Sequence, residues 1–211
     1  LPSLEYLMLA HNRLSGPLPP AVAAARSLKL LLLHHNRLED NIPVLGRFLR
    51  VVWLHNNRFT GAVPWENLQR MPWLHQLNLA NNRLRGPLFP LDARELSFST
   101  VTQLALLNLE HNQLTGYFEW FGPQATEINL AHNKLSFSYS AGLTVSIPPG
   151  CRVLNLSSSF ALTTDTILDA TLTTVHSVAQ AEDTRSADGA EAGLAMVVDL
   201  SGDNVFACPY P

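Results

Sequence analysis

An asparagine set among leucines returns along this chain at nearly regular intervals, and that recurrence excludes most folds open to a chain of this length. It stands at Asn12 in "LEYLMLAHNRL", Asn36 in "LLLLHHNRL", Asn57 in "VVWLHNNRF", Asn82 in "LNLANNRL", Asn112 in "LNLEHNQL" and Asn133 in "INLAHNKL". Two weaker copies, "VLNLSSSF" and "VVDLSGDNV", put Ser159 and Asp203 in the same slot. The successive spacings are 24, 21, 25, 30, 21, 26 and 44 residues. A repeated period of this size marks a stacked array, in which each unit covers its apolar face only with its neighbours. The last spacing must hold an insertion.

Each unit follows L-x-x-L-x-L-x-x-N-x-L, and its central x-L-x-L-x alternates with the period of a strand, leucines inward and x residues outward. One such strand cannot bury its apolar side. Strands stacked about 4.8 Å apart form a parallel sheet with a continuous core behind it. Where the chain turns inward after the strand, backbone N–H and C=O groups lose their sheet partners, and an asparagine amide can serve both kinds. Asn12, Asn36, Asn57, Asn82, Asn112 and Asn133 are therefore expected to form a buried structural ladder. Downstream, "LSGPLP", "FTGAVP" and "LRGPLFP" supply glycine for tight turns and proline for an extended return, while "PPAVAAARSL" and "PWENLQRMPWL" suit short helical turns.

The L-x-G-x-[IVL]-P return, repeated between Leu4 and Ser136, resembles plant-type leucine-rich repeats. Such repeats, about 20 to 29 residues long, occur in receptor-kinase ectodomains, polygalacturonase-inhibiting proteins and surface proteins of some protists. The resemblance implies an α/β solenoid: a right-handed horseshoe with a concave parallel β-sheet and an irregular or short helical convex side. It also implies a non-catalytic module of a secreted or cell-surface protein that recognises a protein or peptide by its concave face. A glycan-binding surface and a purely structural scaffold are the alternatives.

The expected organisation is a single repeat domain over residues 1–211, with an insertion at 163–194 and a degenerate last repeat and C-terminal cap at 195–211. Because the chain starts inside a repeat, it is expected to be a piece of a longer protein. The insertion reads as a surface loop or as a partner-binding lid. Cys151 and Cys208 fit either an oxidised end cap or, at Cys151, a buried free thiol in a leucine slot. Asn155 opens "NLS", an N-glycosylation acceptor pattern lying on a strand.

A formal net charge of -3, with 15% charged residues, offers no basic field for nucleic acid or anionic lipid. No apolar run is long enough to cross a bilayer. The chain has no glycine-rich phosphate loop opening a helix, no HExxH and no GxSxG. No catalytic residue and no cofactor are expected.

Function is therefore sought in columns, since residues at one repeat position line up across the sheet. The two outward columns begin Tyr6, Leu30, Val51 and Met8, Leu32, Trp53, all apolar. Exposed strand positions have no packing reason for this, so the six residues are the expected partner-binding surface, unless further repeats or another domain cover them. The second column then changes to Asn78, Asn108, Asn129 and Asn155, either a ladder of amides for a peptide or sugar, or an ordinary solvated face. His11, His34, His35 and His55 should lie near one another at the strand ends. His111 and His132 occupy the same slot before the asparagine, away from that group, so repeat usage is the expected explanation and no metal site is assigned. Charging of these imidazoles near pH 6.5 is the expected chemistry.

Overall fold

A computed structural model of the chain describes residues 3–88, 103–116, 124–135, 152–155 and 197–199. The outward-inward-outward triplet of every repeat forms a strand. These are β1 (Tyr6–Met8), β3 (Leu30–Leu32), β5 (Val51–Trp53), β7 (Gln76–Asn78), β9 (Leu106–Asn108), β11 (Glu127–Asn129), β12 (Val153–Asn155) and β13 (Val197–Asp199). They make one eight-stranded sheet in that order. Every neighbouring pair is parallel and in repeat register, as in Val51↔Gln76 and Trp53↔Asn78. β12 pairs directly with β13, Asn155 opposite Asp199. The expected insertion, Cys151, Cys208, Ser159, Asp203 and the expected cap apart from β13 lie outside the described residues.

Behind the sheet the leucines stack in columns. Leu31, Val52, Leu77, Leu107, Ile128 and Leu154 are buried at the strand centres, and Leu33, Leu54, Leu79, Leu109 and Leu130 are buried two residues later. Leu28, Leu49, Leu74 and Leu104 close the core at the strand entrance. The apolar residue of each return, Leu18, Ile42, Val63 and Leu88, closes it on the far side. Single repeats have no core of their own, so the fold's stability lies in these nearest-neighbour contacts.

The return side is more regular than expected. Two short helices, α1 (Pro20–Ala23) and α2 (Trp65–Leu68), fall where helical turns were read. Alongside them β2 (Ser15–Pro17), β4 (Arg37–Asn41) and β6 (Arg58–Thr60) form a second parallel sheet, and β8 (Arg85–Pro87) pairs with β10 (Gln113–Thr115). These segments repeat at equal height, so their backbone groups meet the next copy and pair with it. Gly61 shows why the turn needs glycine: its φ is +76°, and a Cβ there would collide with Oδ1 of Asn41.

Candidate functional site

The asparagine ladder is built as its chemistry requires. Asn82 Nδ2 donates to the carbonyls of Leu79 (3.0 Å) and Ala80 (3.2 Å) in its own turn and of Leu54 (3.1 Å) in the preceding repeat. Its Oδ1 accepts the N–H of Phe59 at 3.0 Å. Asn57, Asn112 and Asn133 repeat the arrangement, and all four are buried. Asn36 makes the same bonds half-buried. Asn12 departs from the expectation of burial. It is exposed and donates to the carbonyls of Leu9 and Ala10 in its own turn, and among the described residues no strand pairs with the other edge of β1.

The residue before each ladder asparagine has a left-handed backbone: His11, His35, Asn56, Asn81, His111 and His132 have φ between 50° and 56°. Histidine and asparagine are among the residues that tolerate this region best, which explains why the slot alternates between them. The same turn throws their side chains to the strand-exit edge of the sheet.

The two apolar columns face outward in register. Tyr6 lies opposite Leu30 and Leu30 opposite Val51, while Met8, Leu32 and Trp53 form the adjacent row. Tyr6 and Met8 are 57% and 63% exposed, and the other four are half-buried. Trp53 packs edge-on to His34 and His55, with ring centroids 5.6 and 6.1 Å away. His34 and His55 stack at 4.5 Å, His11 and His35 at 4.2 Å, and the two stacks touch edge to face. Nδ1 of His34, Nδ1 of His55 and Nε1 of Trp53 are buried and have no hydrogen-bond partner among the described residues. Burial pushes the His55 imidazole down to about 4, and the neighbouring rings of His34, His35 and His11 push it the same way. His34 is lowered by burial, then by His11 and His35.

At the strand-entrance edge Lys29 Nζ meets Glu5 Oε1 at 2.8 Å, and this contact holds the Glu5 carboxyl below its usual range. A cleft there is lined by Glu5, Arg26, Lys29, Phe48, Arg50 and Trp73. Trp73 is 55% exposed, a feature the repeat pattern did not single out.

The outward asparagines are less available than a solvated column would be. Oδ1 of Asn78, Asn108 and Asn129 accepts the N–H two residues on, from Ala80, Glu110 and Ala131, at 3.0 to 3.1 Å. Asn155 is half-buried in the same column. His111 and His132 also differ from expectation. Apart from the quartet, they form a stacked pair of their own at 4.0 Å, with Glu110 beside them.

A family model described as Leucine Rich Repeat matches residues 3–24. No curated protein matches the chain. Among solved structures, the Arabidopsis receptor kinase HAESA ectodomain, in complex with an IDA peptide hormone, is 27% identical with a TM-score of 0.62. That alignment covers 76% of this chain and 27% of the receptor's. The plant peptide hormone receptor RGFR1, in complex with RGF2, is 24% identical over 76% of this chain and 25% of its own, with a TM-score of 0.59. A plant ice-binding protein shares the fold at 23% identity and a TM-score of 0.58, over 75% of this chain and 50% of its own. The chain thus spans about a quarter of the length of the receptor structures it matches. It is a leucine-rich-repeat solenoid resembling plant-type extracellular repeats.

Proposed function

We propose that the outward face of β1, β3 and β5 is a protein- or peptide-recognition surface of a secreted or cell-surface protein, with Trp53 as its anchor. One observation carries this reading. Six apolar side chains stand in two adjacent columns on the side of the sheet that the core does not use. Contiguous exposed apolar area of this kind usually marks an interaction site. A tryptophan with aliphatic neighbours, edged by His11, His35 and Asn56, matches the composition of an interface centre inside a wetter rim. The similar HAESA ectodomain is described with a peptide hormone bound, which supports a peptide or protein as the ligand class. A glycan surface on Asn78, Asn108 and Asn129 is less favoured, because their Oδ1 atoms already accept backbone N–H groups.

The test is to select linear peptides from a displayed random library on the wild-type protein and measure their affinity for Trp53→Ala and Asn108→Ala. Recognition through the apolar face predicts roughly a 30-fold loss, about 2 kcal/mol, for Trp53→Ala and little change for Asn108→Ala. The opposite pattern, or peptides that bind all three proteins equally, would remove the assignment.

A further inference from the structure

Outside the apolar face, the strand-exit turns of β9 and β11 bring together two histidines of the left-handed slot and Glu110, a residue that no repeat requirement explains. Glu110 and His111 follow β9, and His132 follows β11, which pairs with β9 through Asn108↔Asn129. His111 N–H donates to the Ala131 carbonyl at 3.0 Å, fixing the two turns against each other. The imidazoles of His111 and His132 lie nearly parallel, 9° apart in plane and 4.0 Å apart in centroid. His111 Nε2 is 3.5 Å from Glu110 Oε1. One ligand atom from each of the three side chains can be chosen so that all lie within 4.8 Å of one another. Among the described residues this is the one group of three or more histidine, cysteine or acidic side chains that meets this condition.

The carboxylate is also held from behind. Asn129 Nδ2 donates to Glu110 Oε2 at 3.0 Å, and Asn129 Oδ1 accepts the Ala131 N–H at 3.1 Å, so the amide that orients Glu110 is itself tied to the backbone. This leaves Oε1 turned to the imidazole. Ligands in metal sites commonly depend on such a supporting partner. The quartet of His11, His34, His35 and His55 has more imidazoles but lacks this arrangement. Nδ1 of His34 and Nδ1 of His55 are buried, and among the described residues no three of these rings converge as the Glu110 group does.

We propose that Glu110, His111 and His132 form a binding site for a borderline divalent transition-metal ion such as Zn2+, Cu2+ or Ni2+, with Asn129 as a positioning residue. Two imidazole nitrogens and one carboxylate oxygen are a donor set that suits these ions better than Mg2+ or Ca2+, which favour oxygen. Metal–ligand bonds of about 2.0 to 2.2 Å require the three donor atoms to draw closer than they stand. Both histidines are exposed, so their rings can turn without disturbing the core. Three protein ligands leave a tetrahedral ion one position for water or for a group from a bound partner.

The site is tested by titrating chelator-treated protein with ZnCl2 in a calorimeter, and with CoCl2 to read the ligand-field absorption of a tetrahedral ion. Uptake should be retained in His35→Ala, fall at least about tenfold in Asn129→Ala, and fall further in Glu110→Gln and His132→Ala. Circular dichroism should show all four variants folded, since none removes a ladder asparagine or a core leucine. The proposal is overturned if wild-type protein takes up neither ion, if His132→Ala binds as wild type does, or if His35→Ala abolishes uptake. Unchanged Co2+ absorption in Glu110→Gln would overturn the carboxylate's place in it.

Discussion

The first three strands of the large sheet and the next three, β7, β9 and β11, share one interior and differ on the outside. Behind β1 stand Leu7, half-buried, and Leu9, 41% exposed, while behind β3 and β5 stand Leu31, Leu33, Val52 and Leu54, all buried. Behind β7, β9 and β11 stand Leu77, Leu79, Leu107, Leu109, Ile128 and Leu130, buried to the same degree. On the outward side, the first group presents Met8, Leu32 and Trp53, and the second presents Asn78, Asn108 and Asn129 in the same column. The stacking rule thus fixes the inward residue and leaves the outward one to other demands. In the second group those demands are partly local, since each asparagine caps the N–H two residues on. In the first group no backbone need accounts for the side chains, which is why function is sought there.

The sharpest way to break this division is to truncate an inward and an outward asparagine in the same repeat. Asn82→Ala removes an amide that serves three carbonyls and one N–H in a buried turn, and should cost about 3 kcal/mol. Asn78→Ala removes one local bond to the Ala80 N–H from a half-buried position, and should cost about 1 kcal/mol or less. Urea midpoints measure both. If the two variants unfold at the same concentration, inside and outside do not differ as described.

A smaller effect sharpens the division by converting one region into the other. Trp53→Asn gives β5 the residue type that β7 carries in register with it, so the chain should fold and keep its parallel pairing. Stability should fall by roughly 1 kcal/mol from lost contact with the rings of His34 and His55. Binding of any peptide selected on the wild type should fall by about 2 kcal/mol. A variant that fails to fold would mean Trp53 belongs to the core rather than to the surface.

Much of this was legible in the sequence. Leu31, Val52 and Leu77 could be assigned inward because a period of two, anchored by the asparagine, admits one phase, and the outward setting of Leu32 and Trp53 followed. The slot that holds only histidine and asparagine from His11 to His132 carries a signal for the left-handed turn, although the turn was not read from it. Three features were not legible. The outer strands β2 and β8 contain Gly16 with Pro17 and Gly86 with Pro87, residues that ordinarily argue against a strand, and the stacked geometry overrides that preference. The exposure of Asn12 depends on where β1 lies in the sheet. The approach of Glu110 to His111 and His132 depends on side-chain directions in two repeats, and Glu110 occupies a position where the other asparagine-bearing repeats carry alanine or histidine.

The smallest effect concerns the edge of the apolar face. His55 is held at about 4 against an ordinary 6.5, first because burial disfavours its charged form and then because His34, His35 and His11 surround it. A depressed histidine is neutral in the folded state where the unfolded chain is already protonated. Its contribution to stability is therefore complete above pH 6.5 and is lost as pH falls from 6.5 towards 4. His34, lowered for the same reasons, acts with the same sign. Because His55 is only half-buried, solvent screening reduces the effect well below the full shift, to about 1 kcal/mol. Urea midpoints of the wild type should decline across this window. His55→Gln, which cannot charge, should decline less. Identical slopes for the two proteins would show that the stacked rings relax apart on protonation, and that the edge beside Trp53 is softer than the rest of the sheet.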